Sequence, residues 1–296
     1  MTEHISALAR IPHDQMAALR AKDTAKGLRH LAGHLALIGL TGTLIALRVP
    51  SWWLLLPLHG ILLSFLFTLT HECTHQTPFG SARFCDFVGQ VCGLVLCLPF
   101  TWFRYFHLAH HRHTNDPERD PELLNGAKPE SFASFALHVT GFSYWHGMAK
   151  QLLTNARGKA QAPYLPQNAL PRIATEARVM LALYALMALT LIWSPLLLWL
   201  WIVPMLLGQP FLRLYLLAEH GRCPPVANML ENTRTTYTNS AVRFLAWNMP
   251  FHAEHHAAPQ VPFHQLPKLN AFLKDDLKAT SDGYVAFTGE ELRRLG

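Results

Sequence analysis

The chain has 296 residues, of which 50% are apolar and 15% are charged, against about 25% charged in an ordinary globular domain. This composition excludes a disordered chain or a coiled coil, and the apolar residues form runs long enough to cross a bilayer. The net charge of +6 comes without a dense run of Lys and Arg, so it indicates membrane orientation and no nucleic-acid partner.

Residues 1–30 are predicted to form an interfacial N-terminal helix. Charged residues interrupt every apolar run in this stretch, so it lacks the continuous core of a cleaved signal peptide. Met16 and Leu19 alternate with charges from Asp14 onward, which is typical of an amphipathic helix on the bilayer surface. We therefore expect the first membrane span to be retained.

Four segments are apolar enough to cross a bilayer, and each is close to the ~20 residues that its core requires. They form two hairpins, because Pro50-Ser51 and Ser194-Pro195 turn each pair tightly. All Lys and Arg except Arg48 lie away from these two turns. This distribution predicts a protein of the inner cell membrane with both termini in the cytoplasm. The predicted spans are residues 31–49, 52–70, 175–194 and 196–217.

Two further charge-free runs, 87–103 and 131–149, are predicted to be re-entrant or interfacial helices. If 87–103 crossed the membrane, the histidines before and after it would face opposite compartments and could not share a site. Its Gly and Pro residues also suit a re-entrant course. The sequence therefore predicts a single all-α domain with a transmembrane bundle over 31–217 and a cytoplasmic helical cap over 218–296.

The chain contains 18 histidines, and eight of them form three spaced clusters. On a helix, positions i, i+3 and i+4 project from one face, so each cluster can present its imidazoles to a common point. Any single one of these histidines is as easily a hydrogen-bonded surface or core residue, but three such clusters are not expected by chance. The clusters are His71 and His75; His107, His110 and His111; and His252, His255 and His256.

Eight imidazoles exceed the four ligands of one zinc ion, so the simplest centre holds two metal ions. Imidazole binds Zn, Cu, Fe and Ni, so the clusters alone leave the metal open. The predicted topology brings all three clusters to the cytoplasmic side, where the fourth span also ends before His220. We interpret His220 as a candidate ninth ligand, and Asn248, four residues before His252, as a candidate weak or water-mediated ligand.

The first cluster, His71-Glu72-Cys73-Thr74-His75, also matches the H-E-x-x-H motif of zinc metalloproteases, in which the Glu is the general base. An intramembrane protease would leave the other two clusters unexplained, so we interpret Glu72 as a carboxylate that orients an imidazole. A metal transporter without catalytic activity is the other alternative. Transport is disfavoured because carriers place their sites at mid-bilayer and these histidines lie at a membrane exit.

The three clusters, in this order and with a long apolar hairpin before the third, resemble the histidine boxes of the membrane fatty-acid desaturase and hydroxylase superfamily. Those boxes have the forms H-x(3-4)-H, H-x(2-3)-H-H and H/Q-x(2-3)-H-H. The stretch from His111 to Glu122 also resembles the family's continuation after the second box. The resemblance covers about residues 50–270. It implies that the eight clustered histidines and His220 bind two iron ions, with O2 as co-substrate.

The resemblance further implies that hydrogen is removed from an unactivated C–H bond, which gives a double bond or an alcohol. We expect a desaturase of a fatty-acyl or acyl-lipid substrate; the alternative is a hydroxylase or ketolase acting on a lipid, a carotenoid or a small alkylamine. The sequence carries no haem, flavin or iron–sulfur motif, so a ferredoxin, rubredoxin or b-type cytochrome is expected to supply electrons. The basic platform predicted for this donor comprises Arg104, Arg112, Arg234 and Arg243.

Overall fold

The computed structural model describes residues 3–124, 126 and 128–296, and the fold is mostly helical. The helices are α1 (Glu3–Ala9), α2 (His13–Leu19), α3 (Thr24–Ala46), α4 (Leu55–Ser64), α5 (Leu66–His75), α6 (Ala82–Leu96), α7 (Phe100–His113), α8 (Pro121–Leu124), α9 (Phe132–Thr140), α10 (Phe142–Ala156), α11 (Leu170–Leu189), α12 (Val203–His220), α13 (Met229–Asn232), α14 (Ser240–Leu245), α15 (His252–Ala257), α16 (Leu266–Leu273) and α17 (Tyr284–Leu295). Short 3-10 turns occur at Trp52–Leu54, Gln167–Ala169, Thr190–Ile192 and Phe263–Gln265, and a π-helical turn at Leu198–Ile202.

Two short strands depart from the predicted all-α class. The strands β1 (Thr235–Thr236) and β2 (Thr280–Ser281) pair in parallel, with Thr235 opposite Thr280. They pair the segment after α13 with the segment before α17, so they connect two parts of the C-terminal region through backbone hydrogen bonds. Periodicity in the sequence could not predict them, because a pair of two-residue strands carries no alternating pattern.

Within the described part of the chain, four helical stretches are long and apolar enough to cross a membrane, and each predicted span overlaps one of them. The second stretch extends to His75 because α5 continues through the first histidine cluster. That cluster therefore lies on the last turn of a candidate spanning helix instead of following it. The four stretches are His13–Ala46, Trp52–His75, Gln167–Ile192 and Leu198–His220.

The N-terminal prediction was wrong in its detail. Residues 3–19 form two short helices, and α3 already begins at Thr24, where the Asp23 side chain accepts a hydrogen bond from the backbone N–H of Lys26 (3.0 Å). Met16 and Leu19 are only 8% and 4% exposed and belong to the main hydrophobic core. Their apolar face is covered by protein, because an amphipathic helix can bury that face in a core as well as in lipid.

The run predicted to be re-entrant is the bent pair α6 and α7, whose axes meet at 101°. The pair leads the chain away from the end of α5 and back again. The return is shown by the Nε2 atoms of His75 and His107, which lie 3.0 Å apart. Histidines before and after the run are therefore neighbours. A site that uses histidines from both sides of the run requires this arrangement.

The C-terminal end of α6, where the chain turns into α7, is half-buried to buried, and its last carbonyl groups need partners that the helix itself cannot supply. Three aromatic side chains from other parts of the fold donate to them. This explains how the chain can reverse inside the bundle without leaving backbone groups unpaired. The donors are Tyr184 Oη to Leu94 O (2.7 Å), Trp201 Nε1 to Val95 O (2.8 Å) and Tyr144 Oη to Leu96 O (3.2 Å).

The helices α4 and α12 cross in direct backbone contact at two glycines. A Cβ atom on Gly60 would lie 2.0 Å from the carbonyl oxygen of Pro204, and one on Gly208 would lie 2.1 Å from that of Gly60. Small residues permit such close crossings between membrane helices. Because α5 follows α4 directly, this crossing aligns the end of α5 with the end of α12, where His220 lies.

Candidate metal centre

All nine predicted histidine ligands converge at one end of the bundle. They come from the last turns of α5 and α12, from the C-terminal half of α7 and from α15. Two groups can be distinguished. The five-histidine group comprises His71, His75, His107, His111 and His255, which each contribute a ring nitrogen to a set with all atoms within 4.8 Å of one another. The four-histidine group comprises His110, His220 and His256, which meet the same criterion, and His252, whose Nε2 lies 3.1 Å from that of His256.

Several imidazoles face each other nitrogen to nitrogen. Two nitrogens held about 2.1 Å from one ion are about 3.0 Å apart when their bonds to it are at right angles. The observed spacings match this value, so the donor set fits metal ions without rearrangement of the chain. The facing Nε2 pairs are His75 with His107 (3.0 Å), His110 with His220 (3.1 Å) and His252 with His256 (3.1 Å).

The two groups lie side by side. The rings of His111 and His256 are stacked with centroids 4.0 Å apart and planes 6° apart, although they belong to different groups. The consecutive residues His110 and His111 likewise divide between the groups. This adjacency is what a centre for two neighbouring metal ions requires.

In the four-histidine group, His110 is fixed by a buried carboxylate. Its Nδ1 lies 2.9 Å and 3.1 Å from the two oxygens of Asp120, which also accepts hydrogen bonds from the backbone N–H of Asn115 (2.7 Å) and of Glu122 (2.9 Å). An ionised carboxylate can only accept, so Nδ1 of His110 carries the proton. Its Nε2 is left with a lone pair directed at the group.

His256 is oriented by Thr114. The Thr114 hydroxyl donates its single hydrogen to the carbonyl oxygen of His110 (2.8 Å), so it accepts from Nδ1 of His256 (3.1 Å). The other two members have acceptors in the same position. The backbone carbonyl of Asn232 lies 3.3 Å from Nδ1 of His220, and the carboxylate of Glu219 lies 3.4 Å from Nδ1 of His252. The outer nitrogens of His110, His220 and His256 are therefore hydrogen-bonded, whereas Nδ1 of His252 lies near Glu219 without a hydrogen bond among the described residues.

The five-histidine group has far fewer such partners. Nε2 of His71 and both ring nitrogens of His111 and His255 are buried without a hydrogen bond among the described residues. Buried polar atoms without partners are costly, and the cost is removed if those nitrogens bind a metal ion. Burial, together with neighbouring imidazoles, also lowers the pKa of His255 well below its usual value, which favours the neutral form that binds metals.

Glu72 lies behind His255 and not between the two histidines of its own motif. One of its carboxylate oxygens is 3.9 Å from Nδ1 of His255, and the other accepts from the Thr77 hydroxyl (2.5 Å) and the backbone N–H of Phe263 (3.4 Å). The general base of a protease must instead face a metal-bound water. The position of Glu72 thus suits the orienting role and disfavours the protease alternative.

Asn248 lies outside both histidine groups. Its Nδ2 donates to the carbonyl oxygen of Phe263 (3.1 Å), and its Oδ1 accepts from Nε of Arg243 (3.2 Å). Both ends of the amide are engaged in these hydrogen bonds. A role as weak ligand stays a prediction that would require the Asn248 side chain to exchange partners.

The basic platform predicted for an electron donor does not form as a surface. Arg234 is only 7% exposed and donates to the carbonyl oxygens of Ala218 (2.9 Å) and Gly221 (2.6 Å). Arg104 is largely buried and paired with Asp86. Of the four predicted arginines only Arg112 is exposed, because Arg104 and Arg234 satisfy internal carbonyl and carboxylate groups and Arg243 is half-buried and donates to Oδ1 of Asn248. The prediction of this docking surface was therefore wrong.

The groups that hold the four-histidine group in place were not predicted from the sequence. Asp120 carried a signal, since it lies in the stretch from His111 to Glu122 that carries the family resemblance. Glu219 is adjacent to His220 and could have been suspected from that position. Thr114 lies in the same stretch, but the role of its hydroxyl depends on the fold, and Asn232 carried no signal because it acts through its backbone carbonyl.

The fold and the site together define a class of protein: a mostly helical chain with about four membrane-type helices and a buried polyhistidine cluster suited to metal. Residues 50–288 match the model of the fatty acid desaturase family. The chain belongs to this family.

Named relatives include desaturases and a hydroxylase. The chain is 27% identical over 243 residues to a sphingolipid delta(4)-desaturase of Drosophila melanogaster, a match that covers 78% of this chain and 70% of the relative. It is 29% identical over 121 residues to an sn-1 oleoyl-lipid 12-desaturase of Picosynechococcus sp., covering 38% of this chain and only 35% of that enzyme. It is 26% identical over 130 residues to an oleate hydroxylase of Claviceps purpurea, covering 38% and 27% of the two chains.

Proposed function

We propose that this protein is a non-haem di-iron oxidoreductase that uses O2 to desaturate a fatty-acyl or acyl-lipid substrate. The observation that carries the proposal is the pair of adjacent histidine groups, with nitrogens spaced 3.0 to 3.1 Å apart, in a chain of the fatty acid desaturase family. Nine imidazoles and no cysteine suit iron that must stay reactive toward O2. Iron bound here would supply the oxidising power to remove hydrogen from an unactivated C–H bond.

The residues of the chain then have three tasks. The nine histidines hold the metal ions, and the acceptors behind His110, His220 and His256 fix which ring nitrogen is available. The buried surroundings keep bulk water away from a reactive centre. The helices around the centre determine which carbon of an apolar chain reaches it, so specificity depends on the shape and polarity of the bundle.

The proposed reaction needs partners beyond the lipid. Desaturation consumes one O2, two electrons and two protons and releases two molecules of water, so an external ferredoxin, rubredoxin or b-type cytochrome delivers the electrons. We further propose that the histidine end of the bundle and both termini face the cytoplasm of the inner membrane, since basic residues are nearly absent from the opposite turns.

A hydroxylase is the second candidate, and the similarity to the Claviceps purpurea oleate hydroxylase favours it. The two outcomes differ in whether a second hydrogen leaves or an oxygen atom is added to the carbon radical centre. Expression in a host with defined lipids, followed by mass spectrometry, separates them. A loss of two mass units supports the desaturase, a gain of sixteen supports the hydroxylase, and unchanged lipids with full iron content contradict both for those substrates.

A further inference from the structure

A second polar site lies along the inner face of α12, deeper in the bundle than the metal centre. Gln209, Arg213, Leu216 and His220 are spaced i, i+4, i+7 and i+11, so they lie on one stripe of the helix. The stripe that presents His220 to the metal centre therefore also carries an amide and a guanidinium. Arg213 precedes His220 by seven residues, which is about 10 Å along the helix axis.

The Arg213 guanidinium is held in position by an aromatic ring, but no ion pair neutralises its charge among the described residues. Its guanidinium lies over the Tyr144 ring, 4.4 Å from the centroid, which positions the cation through its attraction to the π-electrons. Its Nε is buried without a hydrogen bond, and it forms no ion pair among the described residues. A cation without such a partner in a membrane-spanning segment is costly to maintain and is a mark of function.

Gln209 repeats this pattern one turn earlier on α12. It is 0% exposed, and neither its amide oxygen nor its amide nitrogen has a hydrogen-bond partner among the described residues. It is closely packed against Gly141, the residue before α10, where a Cβ would lie 3.0 Å from Cβ of Gln209. The indole Nε1 of Trp145, on the same helix as Tyr144, is a further buried donor without a partner in the described part of the chain.

All of these groups can form hydrogen bonds: the guanidinium and the indole N–H are donors, and Gln209 adds an amide. A plain hydrocarbon chain would leave all of them unpaired. We propose that Arg213 and Gln209 bind an acceptor oxygen of the substrate, a carboxylate or carbonyl group, that lies about 10 Å or more along α12 from the carbon oxidised. This inference rests on the proposed function and narrows its substrate to amphiphiles whose oxygen group lies about 10 Å or more from the reacting carbon.

The competing role for Arg213 is to interact with the carboxyl groups of Glu122 and Glu219. That role is structural and predicts no preference among ligands. A binding measurement can distinguish the two roles, and it needs neither turnover nor an electron donor. The probes are dodecanoic acid, methyl dodecanoate and dodecane, which share chain length and differ in the oxygen group.

Binding of each radiolabelled probe is measured by equilibrium dialysis of full-length protein in nanodiscs, with iron quantified in the same samples. Because partition into the nanodisc is common to all variants, the informative quantity is the ratio of wild-type to Arg213→Gln affinity. We expect this substitution to weaken binding of the acid or the ester about tenfold or more and to leave dodecane unchanged. Arg293→Gln, at an exposed position of α17, is the control and should change nothing.

Gln209→Leu keeps the protein testable if Arg213→Gln fails to fold, and it should selectively weaken the acid or the ester. A larger effect on the acid identifies a carboxylate, and equal effects identify a carbonyl. The inference is overturned if Arg213→Gln weakens all three probes equally, or none. Failure of the proposed function has a different signature, because a protein without iron that still prefers the oxygenated probes contradicts only the metal assignment.

Discussion

The two histidine groups are built differently although they lie side by side. Three of the four rings of the four-histidine group are hydrogen-bonded at the outer nitrogen, as with Asp120 behind His110 at 2.9 Å. In the five-histidine group, Glu72 stands 3.9 Å from His255, and the nitrogens of His111 have no partner among the described residues. The comparison teaches that one group is oriented by hydrogen bonds, whereas the other depends on helix packing to aim its rings.

The largest effect is expected where both groups lose their alignment together. Gly208→Ala would place a Cβ 2.1 Å from the carbonyl oxygen of Gly60, so α4 and α12 could not keep their crossing. We expect a loss above the ~1–3 kcal/mol of ordinary overpacking, seen as early thermal aggregation in detergent. Gly39→Ala is the matched control, because nothing lies within 4 Å of that Cβ. Equal melting of both variants would contradict the role of the crossing.

The next largest effect is expected for the ligands themselves. His110→Ala and His111→Ala remove one member from each group, and each should abolish turnover and lower the iron content, by up to about half if one of two ions is lost. Metal analysis of purified protein measures this. His113→Ala is the control, since His113 ends the same helix outside both groups. Full activity in either ligand variant would remove that residue from the ligand set.

The two carboxylates sharpen the comparison directly. Asp120→Asn takes away the anionic acceptor behind His110 and should weaken metal binding about 10- to 100-fold. Glu72→Gln changes a more distant group and should have a smaller effect. Chelator competition measures both affinities under the same conditions. A larger loss of metal affinity for Glu72→Gln would reverse the assignment of which group is oriented by hydrogen bonds. A total loss of activity in Glu72→Gln, with zinc bound to the protein, would revive the protease alternative.

The smallest effect is expected for a neutral acceptor. Thr114→Val keeps the shape of the side chain but removes the oxygen 3.1 Å from Nδ1 of His256. A loss of about 1 kcal/mol corresponds to roughly fivefold weaker metal binding in the same chelator assay. Thr140→Val, at an exposed helix end far from the centre in sequence, should leave the affinity unchanged. An unaltered affinity for Thr114→Val would show that packing alone orients His256.

The sequence was informative where a property repeats along the chain. Apolar runs of bilayer length predicted all four candidate spans, and helical spacing identified three histidine clusters that the fold brings together with His220 at the end of α12. These predictions succeeded because composition and helical spacing follow directly from local sequence. The requirement that His75 and His107 share a site also predicted correctly that the intervening run turns back.

Features that depend on contacts between distant segments were missed. The burial of Met16 and Leu19, the backbone contact at Gly60 and the internal pairing of Arg234 all depend on which element packs opposite them. An amphipathic face does not specify whether lipid or protein covers it, and an arginine count does not specify which guanidinium reaches water. The acceptors behind the histidines belong to the same class, since they act through geometry and not through motif spacing.

Metal analysis of the purified wild-type protein tests the central claim most directly. Inductively coupled plasma mass spectrometry gives the metal identity and its ratio to protein, and Mössbauer spectroscopy on iron-57-enriched samples reports whether two irons interact. We predict two irons per chain, coupled to each other, with both lost in Gly208→Ala. A single zinc per chain, or a protein that is folded and active without bound metal, would contradict the assignment.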